Sequence, residues 1–379
     1  KLCYYEDMKY ICHIDLNAFF AQVEMNRHPE YKDKPLSVGG NIGRAVIATS
    51  NYEARKYGVC SGMPISEAYR LCPKLINIPG DYHEYSRQSQ FFFDEVKKTF
   101  PLIEMASIDE CYVDSTNVLI DKSRDEIYEF LFDFQFQLLA KTGLKCSIGL
   151  GHNKFMAKMG SDYKKPLGLT LLLDKKDLET KIWPLPIDNM FGIGKKTAPK
   201  LVELGVNTIG DLANNKSIKV IKALGSMYDW VYFEANGGGN DELSYASFDP
   251  KSTSCDSTFD FDTTDYEEIK NRLIYCSKKV GNQLRFHNKV TKTIGIKIRD
   301  ASFNTKSRRI SIDHFIDSDD EICFYALKIF DVFYNDQPIR LIGCMAEGCI
   351  DKGKETLVKK DEQLTIDEAL YLNKKGEKN

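Results

Sequence analysis

Two short apolar runs that carry carboxylates restrict this chain more than any other feature. Residues 10–14, Tyr10-Ile11-Cys12-His13-Ile14, are nearly all apolar and stop at Asp15. Such a run reads as a strand covered on both faces, with the acid at its C-terminal end. The second run, residues 105–113, holds Asp109 and Glu110 inside a strand or hairpin expected over 103–114. A strand with no polar face needs layers above and below it, and helical periodicity at 18–27, 85–100 and 125–142 supplies them. Strands flanked by helices in this way imply an α/β layer.

The 379 residues are 42% hydrophobic and 28% charged, with 52 basic against 55 acidic side chains. This is ordinary globular composition and excludes a disordered or fibrous chain. At roughly 100–200 residues per domain, the length suggests two to four domains. No run reaches the ~20 apolar residues of a membrane helix, and the first ten residues lack the apolar stretch of a signal peptide, so a soluble, cytoplasmic protein with no membrane partner is expected. Eleven cysteines are scattered singly with no CxxC pair, which reads as buried reduced thiols. Six dispersed histidines make no zinc spacing, so a metal here is expected to be hard and oxygen-bound, such as magnesium.

Along the chain, residues 34–80 are interrupted by Gly39, Gly40, Gly43, Gly58, Gly62, Pro64, Pro73 and Pro79, which predicts a small subdomain of short elements. After a strand near 169–173, residues 183–232 have helical periodicity broken by five glycines, the pattern of a small all-helical domain. Residues 236–240 and 248–254 are glycine-rich or polar and mark a linker. The order that follows is strand 252–259, helix 264–285, strands 290–299 and 307–315, helix 319–334 and strand 339–348, a ferredoxin-like split βαβ pattern. Residues beyond about 351 are rich in lysine and acids and read as a mobile tail.

Between Lys278 and Arg309 there are ten basic residues and a single acid, Asp300. A run of this kind is either a solvated face or a polyanion footprint. Alternation favours the second: Ile294, Ile296 and Ile298 fall on one face of a strand, Thr293, Lys297 and Arg299 on the other.

Three carboxylates at strand ends, Asp15, Asp109 and Glu110, can hold two divalent cations that clamp the attacking and leaving oxygens of a phosphoryl transfer. Taken singly, each acid reads as a cap or surface residue. Adjacent residues on a regular strand point to opposite faces, so Asp109 and Glu110 share a site only at a bend or hairpin tip.

The string Asp15-Leu16-Asn17-Ala18-Phe19-Phe20-Ala21-Gln22-Val23-Glu24, with Ser107-Ile108-Asp109-Glu110, closely resembles the Y-family of translesion DNA polymerases, most of all the bacterial DinB branch, the DNA polymerase IV group. The resemblance continues through residues 48–59, Gly62-Met63-Pro64, Leu71-Cys72-Pro73, residues 153–158, Lys164-Lys165-Pro166-Leu167-Gly168 and Ile339-Arg340-Leu341-Ile342-Gly343. It implies an α+β multidomain fold, a right-hand polymerase with palm (1–27 and 86–174), small fingers (28–85), helical thumb (175–243), linker (244–251), ferredoxin-like little finger (252–349) and flexible tail (350–379). The implied activity is DNA-directed DNA synthesis of low fidelity on primed template DNA with deoxynucleoside triphosphates, by a monomer associated with the nucleoid of a bacterium. Two Mg²⁺ ions, replaceable by Mn²⁺, would be held by Asp15, Asp109, Glu110 and the Leu16 backbone carbonyl. Phe20 matches the steric gate against ribose. Phe19, Tyr52, Arg55 and Lys165 fall at the triphosphate, the Phe19 ring itself reading as core. Ala48 and Thr49 would lie above the nascent base pair. Leu16 and Asn17 depart from the Met-Asp or Phe-Asp usual after the first acid.

Gly192, Gly194, Lys195 and Lys196 resemble a helix-hairpin-helix whose backbone N–H groups suit a DNA phosphate, although a GxG before a helix is equally the mark of a plain αα-turn. Lys297, Arg299, Lys306, Arg308, Arg309 and Arg340 would grip the DNA backbone. Gln363-Leu364-Thr365-Ile366 faintly resembles a sliding-clamp peptide, without its terminal aromatic residue. The alternatives are a non-catalytic DNA-binding protein on the same fold and a UmuC-like polymerase that needs an accessory subunit.

Overall fold

The first apolar run forms β1 (Ile11–Leu16), buried along its whole length. In this computed structural model, residues 9–40, 43–245 and 249–355 are described. Chain contacts divide it into two units, the first ending at Tyr245.

In the first unit, β1 leads into the helix Phe19–Arg27, then β2 (Leu36–Gly39), β3 (Ile47–Ser50), β4 (Ile76–Ile78) and the helix Tyr82–Lys97. A hairpin follows, β5 (Ile103–Met105) and β6 (Glu110–Asp114), then the helix Arg124–Thr142, β7 (Cys146–Gly151), the helix Lys154–Tyr163 and β8 (Leu169–Leu172). The main sheet runs β5-β6-β1-β7-β8, so β1 is its central strand. Strands β3-β2-β4 form a separate small sheet from the glycine- and proline-interrupted stretch.

Period-two alternation divides β1 between two layers. Cys12, Ile14 and Leu16 pack with Phe92, Phe93, Val96, Phe134 and Leu138 of the helices Tyr82–Lys97 and Arg124–Thr142. Ile11 faces the other way, with Tyr112 and Ala157. On that side Gly149 lets the helix Lys154–Tyr163 approach closely, because a Cβ there would stand 2.0 Å from Ala157 O. The helix expected from residue 85 starts at Tyr82, since the Asp81 side chain accepts from Glu84 N at 3.1 Å and fixes the first turn. The helix expected over 125–142 has an outer face that is not simply polar: Tyr128, Phe132 and Phe136 are exposed there.

The last part of this unit has its own core, built by Leu201, Val206, Ile209, Leu212, Val220 and Val231 from short helices.

The second unit contains β9 (Ser252–Thr263), the helix Tyr266–Phe286, β10 (Lys289–Asp300), β11 (Thr305–Ile316), the helix Asp319–Phe333 and β12 (Ile339–Glu347). The βαββαβ order and the split pairing hold, since each βαβ pair is separated by one antiparallel strand. The sheet order is β11-β10-β12-β9, which puts the second and fourth strands inside, where a ferredoxin sheet has its first and third. Ile350 and Asp351, expected to open the flexible tail, instead pair with Val290 and Lys289 at the start of β10. The clamp-like peptide 363–366 lies outside the described residues. Among the described residues no helix is long and apolar enough to cross a membrane.

Candidate active site

Asp15 and Glu110 stand directly opposite each other on the antiparallel pair β1–β6. Residues on one strand face alternate, so His13 shares Asp15's side. Ligand-capable atoms of His13, Asp15 and Glu110 all lie within 4.8 Å of one another. Asp109 solves the problem of adjacent carboxylates by sitting in the hairpin turn, just before β6 begins. It lines the same cleft as Asp15, and its backbone carbonyl accepts from Leu16 N at 2.9 Å. Its carboxylate is not in the His13–Asp15–Glu110 group: Ser107 Oγ donates to it at 2.5 Å. Burial raises the Asp109 pKa, against the Ser107 hydrogen bond, and the nearby Asp15 and Glu110 charges push the same way.

Glu110 is held well below the usual carboxylate range by His13, whose Nε2 lies 3.2 Å away, against the cost of burial and with help from Lys158. His13 is itself lowered, chiefly by burial, and its Nδ1 is 2.7 Å from Ser161 Oγ. Lys158 Nζ donates to Asp15 Oδ2 at 3.1 Å and to Glu110 Oε2 at 2.7 Å. Lys165 Nζ pairs with Asp15 Oδ1 at 2.7 Å and Asp162 Oδ1 at 2.8 Å. Burial works against both ammonium groups, yet the surrounding carboxylates outweigh it and both pKa values rise.

A cleft of about 270 Å³ opens beside Asp15. Leu16, Phe19, Phe20, Ala48, Thr49, Tyr52, Arg55, Asp109 and Lys165 line it, as do Asn17, Ala18 and Ser61. The Phe20 ring stacks on Tyr85 at 4.3 Å, and Tyr85 is anchored by donating to Glu24 Oε1 at 2.7 Å. Phe19 and Leu16 are each 2% exposed, with side chains in the core, leaving their backbones for the cleft. On the short helix Tyr52–Arg55, the Arg55 guanidinium lies 4.8 Å over the Tyr52 ring and Nε donates to Ser50 O. The Tyr52 hydroxyl is buried, and burial raises its pKa against the nearby Arg55 and Lys165 charges.

Asn17, a departure from the expected pattern, has a positioning role. Its amide donates to Ser147 Oγ at 2.9 Å and its carbonyl accepts from Leu167 N at 2.8 Å. It thereby ties the loop after Lys165 to β7. Gly168 closes that loop, where a Cβ would meet Lys164 O at 1.6 Å.

Elsewhere in the first unit, Gly192 has φ of 90° in the hairpin, and Gly194, Lys195 and Lys196 are exposed beside it. In the second unit the expected basic grip divides. Arg299, Lys297 and Arg309 lie on the open face, since Lys297 is paired with Ser307 and Arg309 with Gly295 across the strands. Arg308 and Lys306 are opposite the core-facing Ile296 and Ile298, so they share the helix side, and Arg308 lies 4.9 Å over Phe333. The cause is the strict alternation of β11, which cannot place neighbouring Arg308 and Arg309 on one face. Arg340 lies 4.3 Å over Phe303.

His13, Lys158 and Asp162 were not among the residues expected at the site. Period-two alternation from Asp15 gives a signal for His13. Lys158 and Asp162 share a helix face at i, i+4, a spacing that by itself reads as an ordinary surface pair.

The impB/mucB/samB family matches residues 14–162, its C-terminal domain 250–358, and the IMS family HHH motif 175–206. DNA polymerase IV of Bacillus velezensis is 36% identical over 345 residues, covering 90% of this chain and 82% of the relative. DNA polymerase IV of Clostridium kluyveri is 36% identical over 360 residues, covering 93% and 88%. Among solved structures, a Y-family DNA polymerase chimera of Dbh and Dpo4 superposes with TM-score 0.79 at 28% identity, covering 90% of this chain and 99% of that one. An insertion ternary complex of Dbh DNA polymerase gives 0.61 at 28% identity over the same shares. Neither a non-catalytic binding protein nor a polymerase dependent on an accessory subunit is favoured by these relatives. With conserved architecture over nearly its whole described length, the chain belongs to the Y-family of DNA polymerases, in the DNA polymerase IV group.

Proposed function

We propose that this chain extends a primer 3′ end on template DNA at the cleft beside Asp15, holding two Mg²⁺ ions for which Mn²⁺ can substitute. As a member of its family it is a DNA-directed DNA polymerase of the translesion class. The observation that carries the reading is one arrangement: Asp15 and Glu110 opposed on central strands, with Asp109, Tyr52, Arg55 and Lys165 at the same cleft.

The donor set fits a hard divalent cation. Carboxylate oxygens predominate, and a cation among them would offset the Asp15 and Glu110 charges that add to burial in raising the Asp109 pKa. Asp15, Asp109, Glu110 and the Leu16 carbonyl would hold it. When bound, it would lower the pKa of the primer hydroxyl and offset triphosphate charge. The protein's own part is positioning. Tyr52, Arg55 and Lys165 orient the triphosphate by hydrogen bonds and charge, with the Phe19 backbone beside it. Phe20 lies under the sugar, and the small Ala48 and Thr49 leave room over the base pair for a damaged template. On this reading the palm is 1–27 and 86–174, the fingers 28–85, the thumb 175–243 and the little finger 252–349. Gly192, Gly194, Lys195 and Lys196 would meet one DNA backbone. An insertion ternary complex and a post-insertion binary complex of Dbh DNA polymerase support primed DNA and a nucleotide as ligands.

Primer extension by the purified chain with Mg²⁺ and deoxynucleotides tests this, with Asp109→Ala alongside. Short extension that disappears in the variant is expected. DNA binding with no extension by the wild type would remove the catalytic assignment.

A further inference from the structure

Lys158 and Asp162 give the carboxylate cluster a second property. The Lys158 side chain is 14% exposed, and its ammonium takes one oxygen each from Asp15 and Glu110, at 3.1 and 2.7 Å. A cation held by those acids would compete with the ammonium for their negative charge. One turn along the same helix, Asp162 Oδ2 stands 3.5 Å from that ammonium and is three times as exposed, at 42%.

We propose that Lys158 is an exchangeable counter-ion of the metal-binding carboxylates: it neutralises Asp15 and Glu110 when no divalent cation is bound, yields them when one enters, and moves onto Asp162. The pair Lys158–Asp162 thus sets how tightly the site holds metal before a nucleotide arrives. This rests on the polymerase reading only in taking Asp15 and Glu110 as metal ligands.

Three physical points carry the exchange. Asp15 and Glu110 are close enough to repel each other, so they need a cation at all times. An ammonium and a divalent ion cannot both lie within hydrogen-bonding distance of the same two oxygens, because their mutual repulsion at a few ångströms is large in a partly buried site. Asp162 holds Lys165 through Oδ1 and offers Oδ2 to the displaced ammonium, which avoids leaving a charge unpaired in the cleft. Lysine suits this as a point charge on a flexible stem. The helix itself is fixed against β7 at Gly149, so side-chain torsions must make the movement. A permanent ion pair would act on the metal only through space, so the Asp162→Asn effect would be the same with or without Lys158.

The test is Mn²⁺ binding to the full chain without DNA or nucleotide, read as the free-ion electron paramagnetic resonance signal. The wild type should show a saturable site that Asp15→Asn removes. Lys158→Met should bind Mn²⁺ roughly tenfold tighter or more. Asp162→Asn should bind more weakly, and that loss should shrink in the Lys158→Met background. Equal or weaker binding by Lys158→Met overturns the proposal, as does an Asp162→Asn effect independent of Lys158. If Lys158→Met does not fold, Asp162→Asn alone decides, and affinity equal to wild type overturns the proposal. Absence of any Asp15-dependent site in the wild type would overturn both this and the metal assignment, whereas normal Mn²⁺ binding without the Lys158 effect leaves the polymerase reading intact.

Discussion

The Phe20 ring is supported from below by Tyr85, stacked at 4.3 Å, and at its edge by Tyr82 at 5.6 Å. The Tyr85 hydroxyl is fixed in turn by buried Glu24, so the Phe20 ring cannot easily give way. Phe20→Ala would remove the obstacle and leave its support standing. Discrimination against ribonucleotides, measured as the ratio of kcat/KM for deoxynucleotide over ribonucleotide insertion, should fall roughly tenfold or more. A ratio equal to wild type would reject the gate. The neighbouring residues show what a sequence makes legible at this scale. Asp15, Phe20, Tyr52, Arg55 and Lys165 stand in strings specific enough to be recognised, and all five line one cleft. His13 and Lys158 have ordinary readings in isolation, a core histidine and a lysine on an amphipathic helix. Only pairing across the β1–β6 sheet and the helix Lys154–Tyr163 brings both to Glu110.

Elements were legible where a local signal sets them. The two acids of the second apolar run escape the strand's alternation because the hairpin turn ends between them, a possibility the strand pattern allowed without choosing it: Asp109 lines the cleft beside Asp15, while Glu110 stands opposite Asp15 across β1–β6. The strand order of the second unit was not legible, because alternation tells which face a residue takes and is silent on which strand lies beside it. The helix Tyr228–Ala235 of the first unit holds a group that composition hides entirely. Glu234 is 7% exposed, accepts one hydrogen bond from Trp230 Nε1 at 2.9 Å, and has its other oxygen buried without a partner. Burial raises its pKa from the ordinary 4.5 to about 7, against the Trp230 bond. The unfolded carboxyl releases its proton near 4.5 and the folded one near 7, so between these values the folded chain binds more protons. Its contribution to stability is therefore complete below pH 4.5, falls through the window up to about 7, and is flat above it. The loss amounts to about 3 kcal/mol. Glu234→Gln keeps the Trp230 acceptor and removes the titration. Urea unfolding should show a variant more stable than wild type at pH 8 and a flatter profile from pH 5 to 8; parallel profiles would reject the buried-carboxyl account.

Across the whole molecule, charge is sorted by position, with a formal total of only −3 and ten cations gathered between Lys278 and Arg309. Sorting alone does not make a free basic surface. On the open face of the second unit, Arg309 pairs with Glu347 and Lys297 with Asp256, each at 2.6 Å. If this face binds DNA, a phosphate arriving there must take each cation from a resident carboxylate, which lowers the gain per contact. Binding to primed DNA should still weaken on the order of a hundredfold between about 50 and 200 mM salt if four or five phosphates are neutralised. Glu347→Gln separates this account from a simple count of positive charge. It leaves every cation in place and frees Arg309, so affinity should rise roughly three- to tenfold at about 0.1 M salt, and the salt slope should steepen by about one. Arg309→Ala should move both quantities the other way, because it leaves Glu347 unpaired on a face that meets phosphate. Fluorescence anisotropy of labelled primer–template over a salt series measures both. Tighter binding with a steeper slope in Glu347→Gln would mark the open face as a DNA surface, and no change in either variant would move the DNA contact to the helix side, where Lys306 and Arg308 lie.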